Sequence, residues 1–182
     1  MTTKKTIAFI RETLKIVILA AAIVVPVRYF LFQPFFVRGQ SMDPNFENGD
    51  YLIVDEISYR FRQPQRGEVI VFNSPQEPSQ RFIKRIIGLP GEVVEIKEGK
   101  VAVYSSEGRK ILDESGYILN LPTGGNLTIA LGGEEYFVLG DNRPFSYDSR
   151  RFGSLPEDNI IGRVVFRAWP FGEVRIFEAP NY

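Results

Sequence analysis

The stretch "EVVEIKEGKVAVYSSEGRKIL" (Glu92–Leu112) holds three short apolar-rich runs parted twice by the same dipeptide, at Glu98-Gly99 and at Glu107-Gly108. A glycine accepts the backbone conformation that a tight reversal demands, so the stretch reads as strands joined by two turns. The same grammar extends outward on both sides. "GDYLIVDEI" (Gly49–Ile57) and "RGEVIVFN" (Arg66–Asn73) are strands announced by turns, "RFIKRIIGL" (Arg81–Leu89) is stopped by "PGE", and "EEYFVLGDN", "IIGRVVFRAWPF" and "EVRIF" complete the set. Turn signals recur every eight to twelve residues and no segment past residue 40 keeps a helical period. The expected architecture is mostly β, a partly closed, barrel-like domain. Residues 104–133, richer in Gly, Ser, Thr and Asn, read as a peripheral excursion from its sheet.

Composition narrows the chemistry. The 182 residues carry 22 basic and 22 acidic side chains, and no run of five or more Lys/Arg occurs, so nucleic acid is not an expected partner. No cysteine is present, which removes disulfides, thiolate metal sites and a Cys nucleophile. No histidine is present either, which rules out a Ser-His-Asp triad and removes the commonest zinc ligand. No metal or cofactor is expected. A base working near neutral pH must be Lys, Asp, Glu or Tyr.

The N-terminal region is different in kind. "IVILAAAIVVPV" (Ile16–Val27) is twelve residues without a charge, about 18 Å of helix against about 30 Å of hydrocarbon. Running on through "RYFLFQPFFV" to Val37 makes a span if Arg28 reaches the outer interface, where Tyr29 also fits. A buried soluble helix and a cleaved signal peptide compete with this reading. The apolar run past Ala20, Ala21 and Ala22 disfavours cleavage, and an all-round apolar Ile16–Val25 disfavours an in-plane helix. Lys4, Lys5, Arg11 and Lys15 precede the run with only Glu12 against them, which holds the N-terminus in the cytoplasm. The expected organisation is a cytoplasmic segment 1–15, one transmembrane helix 16–35 and an extracytoplasmic domain 36–182, on the cell membrane.

Three stretches carry candidate chemistry. In "FVRGQSMDPNF" (Phe36–Phe46), Ser41 sits on a turn just past the apolar segment. In "RFIKRIIGLPGE", Lys84 shares a strand face with Phe82 and Ile86 while Arg85 points the other way. Apolar surroundings desolvate an ammonium and lower its pKa, which would fit Lys84 for the role of base to a serine. The same residues also suit a lysine whose amine reaches water beside an ordinary core strand, and a structural "GQSM" turn. "GDNRPFSYDSRRFG" (Gly140–Gly153) crowds hydrogen-bonding groups of both charges onto one loop. Such a loop orders another site's side chains or forms a solvated surface.

Together these stretches, with "RGEVIVF" and the closing "GRVVFRAWPF" in the same order, closely resemble the type I signal peptidases, membrane-bound Ser-Lys endopeptidases that remove signal peptides from exported proteins. The resemblance implies Ser41 as nucleophile, Lys84 as general base and Ser146 as the hydroxyl orienting the amine. Asp148 and Arg150 match the pair supporting that loop, and Arg85 and Asp141 match a structural salt bridge. Met42 is expected to line the substrate cleft, with Val37, Phe46, Phe82 and Ile83 crowding two pockets so that only small residues, of the Ala-X-Ala type, fit before the cut. Two departures stand out. Gly39 occupies the place where many members carry a serine that helps bind the oxyanion, a donor worth about 3 kcal/mol; and "RPFS" replaces an Asp-Asn or Asn-Asn pair between Arg and Ser. Expected partners are signal-peptide-bearing preproteins and the lipid bilayer, with the enzyme a monomer. Trp169 and Phe171 fit either lipid contact or core packing. Two other functions are compatible: a more specialised pilus or conjugation maturation peptidase, and a catalytically silent, membrane-tethered β-domain that only binds.

Overall fold

A computed structural model of the chain describes residues 2–30, 32–118, 122–180 and 182, with side chains at 2–4, 23–30 and 32 outside that description. The interface roles expected of the Arg28 and Tyr29 side chains therefore lie outside the described residues. The chain begins with helix α1 (Thr2–Phe30) and passes into strand β1 (Phe32–Phe36). The apolar run to Val37 thus leaves the helix at Phe30, because Phe32–Phe36 pairs residue for residue with β2 (Tyr51–Asp55). Among the described residues, no helix is long and apolar enough to cross a membrane.

The larger sheet is built from the strands that the turns delimit. Beyond β1 and β2 it contains β3 (Val69–Asn73), β4 (Arg81–Gly88), β9 (Glu135–Leu139), β10 (Leu155–Pro156), β11 (Ile160–Trp169) and β12 (Arg175–Ile176). Their order is β1-β2-β11-β3-β4-β9-β10, with β12 on the flank of β11. The smaller sheet runs β7-β6-β5-β8, from β5 (Val93–Lys97), β6 (Lys100–Ser105), β7 (Gly108–Ile111) and β8 (Leu127–Ala130). At the β5–β6 reversal Glu98 and Gly99 have φ of 53° and 79°, the two positive values that a type I′ hairpin requires.

The expected barrel closure is not met. The larger sheet is an open path with β1 and β10 at its ends, and among the described residues no pairing joins them. Both ends carry a proline, Pro34 and Pro156, which has no N–H to offer a further strand. The sheet instead bends at irregularities along β11, between Val164 and Phe166 and between Arg167 and Trp169.

Burial explains why β3 is apolar without alternation. Val69 and Val71 join one core cluster with Val37, Met42, Phe46, Leu52 and Ile83, while Ile70 and Phe72 join another with Ile86, Tyr136 and Leu155. Both faces of the sheet are therefore covered. A third cluster, including Ile87, Val94, Ile96, Val103, Phe137 and Leu139, joins the larger sheet to the smaller.

Candidate active site

Ser41 lies in the turn that follows β1. Just before it, Gly39 adopts φ +97°, a left-handed conformation that glycine reaches without penalty, and its N–H donates to Asn48 Oδ1 at 3.0 Å. This chain conformation is a physical reason for glycine at a place where a serine would be strained. A Cβ there would meet no atom within 4 Å, so backbone conformation and not space sets the restriction. The turn is pinned from below by Met42 and Phe46, 1% and 0% exposed, whose side chains sit in the first core cluster with Val37 and Ile83.

Strand alternation on β4 sends neighbouring side chains to different places. Lys84 lies on the side of Phe82, its Nζ 5.3 Å from the centre of that ring. The amine donates to Ser41 Oγ at 2.8 Å and to the Ile83 carbonyl at 2.8 Å. Only 3% of Lys84 is exposed, and burial lowers its pKa from the ordinary 10.5 to about 8, against the opposing pull of the Asp148 and Asp141 carboxylates. The two candidate groups, 43 positions apart in sequence, are thus in direct contact with the amine desolvated.

Arg85 points to the opposite side and grips Asp141 with both arms of its guanidinium, Nε to Oδ1 at 2.8 Å and Nη2 to Oδ2 at 2.6 Å, while Nη1 donates to the Gly67 carbonyl. Next to Asp141, the Asn142 N–H donates to the Ser41 carbonyl at 3.1 Å and the Asp141 N–H to Met42 Sδ at 3.4 Å. The Gly140–Gly153 loop is thereby docked on the serine turn. Asp148, fully buried, caps α2 (Ser149–Phe152), accepts the Gly140 N–H at 3.1 Å, and pairs with Arg150 through Nε and Nη2 at 2.8 Å each. Breaking a buried pair of this kind costs about 3–5 kcal/mol, because the survivor keeps its charge without a partner.

Ser146 is packed over Gly140, where a Cβ would overlap both the Ser146 side chain and the Ser41 carbonyl. Its Oγ is buried and has no hydrogen-bond partner among the described residues, a costly state for an idle hydroxyl. The serine, lysine and both supporting pairs therefore meet around one turn. Of the five expected pocket residues, Val37, Met42, Phe46 and Ile83 are buried in the first core cluster, and Phe82 stands half-buried beside the amine.

Sequence reasoning missed several residues here. Asn45 Nδ2 bridges Asp141 Oδ2 at 2.8 Å and the Tyr117 carbonyl at 2.6 Å. Arg143, 2% exposed, is held by Glu114, and Asn142 Nδ2 ties the loop to the Gln40 carbonyl at 2.8 Å. The buried status of Arg143 could not be read from a loop so dense in charge, and nothing in the sequence paired it with Glu114.

The family model described as signal peptidase, peptidase S26, matches residues 10–169. Signal peptidase I of Leptolyngbya laminosa is 39% identical over 179 residues, 94% of this chain and 86% of that one. Probable signal peptidase I-1 of a Synechocystis strain is 37% identical over 169 residues, covering 89% of this chain and 84% of its own. The crystal structure of a signal peptidase I from Enterococcus faecalis V583 shares 34% identity at a TM-score of 0.47, over 56% of this chain and 97% of that one. With a match running from helix α1 to the end of β11, the chain belongs to the signal peptidase family, peptidase S26.

Proposed function

We propose that this signal peptidase cuts preproteins by a Ser41 nucleophile activated by neutral Lys84. The observation that carries the reading is the 2.8 Å contact between Lys84 Nζ and Ser41 Oγ, with the amine shielded from water. A neutral amine has two N–H groups and one lone pair. One N–H goes to the Ile83 carbonyl and, across the 2.8 Å contact, the lone pair accepts the Ser41 proton. Ser146 Oγ makes no hydrogen bond to the amine or to any other described residue, so a turn of its side chain would be needed for it to take the remaining N–H. As Ser41 attacks the scissile carbonyl, its proton moves to Lys84, which passes it to the leaving amine. The same base then activates water to hydrolyse the acyl-enzyme. The Ser41 N–H, which meets no acceptor among the described residues, serves the oxyanion, since the Gly39 N–H is engaged by Asn48.

The substrate lies extended beside β4. Residues Arg81–Lys84 pair with β3 on one side, and β9 joins the other side only from Arg85 onward, which leaves a strand edge open next to the amine. The filled floor of Val37, Met42, Phe46 and Ile83 leaves room for small side chains before the cut, in accord with Ala-X-Ala type sites. Membrane attachment is read from the apolar run of α1, from Ile16 to the helix end at Phe30, with the N-terminus cytoplasmic, and from an aromatic row at the surface. Phe36, Tyr51 and Trp169 lie opposite one another on β1, β2 and β11, and Phe171 packs on Trp169 with ring centres 4.6 Å apart. Trp169 and Phe171 are 50% and 77% exposed, which favours lipid contact over core packing.

Incubating a preprotein with wild type, Ser41→Ala and Lys84→Ala in detergent tests the mechanism. Wild type should release the mature protein and both variants should not. Cleavage surviving in either variant would rule the dyad out.

A further inference from the structure

The excursion after β6 does more than extend the smaller sheet. Its Glu114 is 7% exposed and holds Arg143 through both carboxylate oxygens, Nη1 to Oε2 at 2.9 Å and Nη2 to Oε1 at 2.5 Å. Thr123 accepts a further hydrogen bond from Arg143 Nη1. Thus neutralised, Arg143 donates from Nε to the Gly140 carbonyl at 3.1 Å, the residue against which Ser146 and the Ser41 carbonyl pack. Tyr117, three residues beyond Glu114 in a turn, donates its hydroxyl to Glu114 Oε1 at 2.7 Å and accepts from the Tyr182 hydroxyl at 2.9 Å. Its ring lies under the Arg85 guanidinium, 4.2 Å from the carbon to the ring centre, and its carbonyl accepts Asn45 Nδ2. Asn45 is on the serine turn and Arg85 is next to the lysine.

We infer that Glu114 and Tyr117 are positioning residues: the segment that carries them clamps the serine turn, the Arg85–Asp141 pair and the Gly140–Ser146 loop into one rigid assembly. The inference rests on the Ser41–Lys84 reading for its catalytic consequence but not for its structural one. The physical ground is that one shared carboxylate balances the buried Arg143 and orders Tyr117, so both sides of the site are referenced to the same point. Displacements of about 1 Å between nucleophile and base are enough to cost roughly a hundredfold in rate.

The test uses the full chain in detergent, with Glu114→Gln and Tyr117→Phe. The second variant keeps the ring on Arg85 and the carbonyl on Asn45, and so retains the fold even where the first does not. Two measurements are made well below the melting temperature: kcat and KM on a peptide substrate, and hydrogen exchange in the peptide spanning residues 140–146, which reports the Asn142 N–H bound to Ser41. The clamp requires faster exchange there with unchanged exchange in β3, and a kcat lowered roughly tenfold or more at little-changed KM. Folded variants with wild-type exchange at 140–146 and wild-type kcat would overturn it. Ser41→Ala is run alongside. Residual cleavage in that variant would sink the dyad, while the exchange result still decides the clamp.

Discussion

Replacing Lys84 with Met should make the folded chain more stable near neutral pH, and the advantage should vanish in alkali. The amine is nearly inaccessible and titrates at about 8 in the folded protein, against 10.5 for an exposed lysine. Between those values the unfolded chain binds the proton and the folded one does not, so the wild type gains stability as pH rises from about 8 to 10.5. Below about 8 the whole penalty of burying the charge is present. At about 1.4 kcal/mol for each pH unit of separation, that penalty is about 3 kcal/mol. Methionine has similar length and no charge, but it forfeits the bonds to Ser41 and to the Ile83 carbonyl, each worth about 1 kcal/mol. The variant should therefore be ahead by about 1 kcal/mol near pH 6.5 and behind by about 2 kcal/mol near pH 10.5. Denaturant unfolding of both full-length proteins, followed by circular dichroism across that range, gives the difference directly, and other titrating groups cancel between the two. A difference that does not change with pH would refute the claim that Lys84 loses its proton through burial.

The cleavage rate should climb through an inflection near 8, because only the uncharged Lys84 takes the Ser41 proton. A profile flat from about pH 6 to 10 would remove it as the base. Gly140→Ala should lower kcat about a hundredfold, since the new methyl group wedges Ser146 away from the Ser41 carbonyl; wild-type turnover in the variant would show that this packing is dispensable. Asp141→Ala should cost about 3–5 kcal/mol in denaturant unfolding by stranding Arg85 in the interior, and a loss under 1 kcal/mol would mean the pair is solvated. Gly39→Ser should lose about 1–2 kcal/mol from its φ of +97° alone, as no atom obstructs the side chain; an unchanged melting curve would contradict that account.

Much of the fold was legible because strands announce themselves locally. Each of "YLIVD", "VIVFN", "RFIKRIIG" and "EYFVL" is an apolar run bounded by turn residues, and each is a strand. The lysine was legible only in part: Phe82 and Ile86 share its strand face, but the same residues also suit an amine that reaches water, and its pairing with Ser41 came from the family resemblance, not from any local signal. Closure of the sheet was not legible, because it depends on whether strands far apart in sequence meet, and the terminal prolines act only once β1 and β10 are known to be edges. The strand at Phe32–Phe36 was hidden in the same way, its apolar residues suiting lipid and sheet alike until Tyr51–Asp55 supplied the pairing.

From the sequence alone came the alternation that aims Lys84 and Arg85 to opposite sides, the glycine turns, and the absence of histidine and cysteine that restricts a base near neutral pH to Lys, Asp, Glu or Tyr. These depend on residues within a few positions of one another and on chemistry that is either present or missing. Only the tertiary structure brought Ser41 to within 2.8 Å of an amine 43 positions away, and it alone gave Arg143 its Glu114 and Asn45 its Tyr117. Such pairings are set by how sheets and loops pack in three dimensions, and a polar side chain in a loop carries no mark of the partner that burial will force it to find.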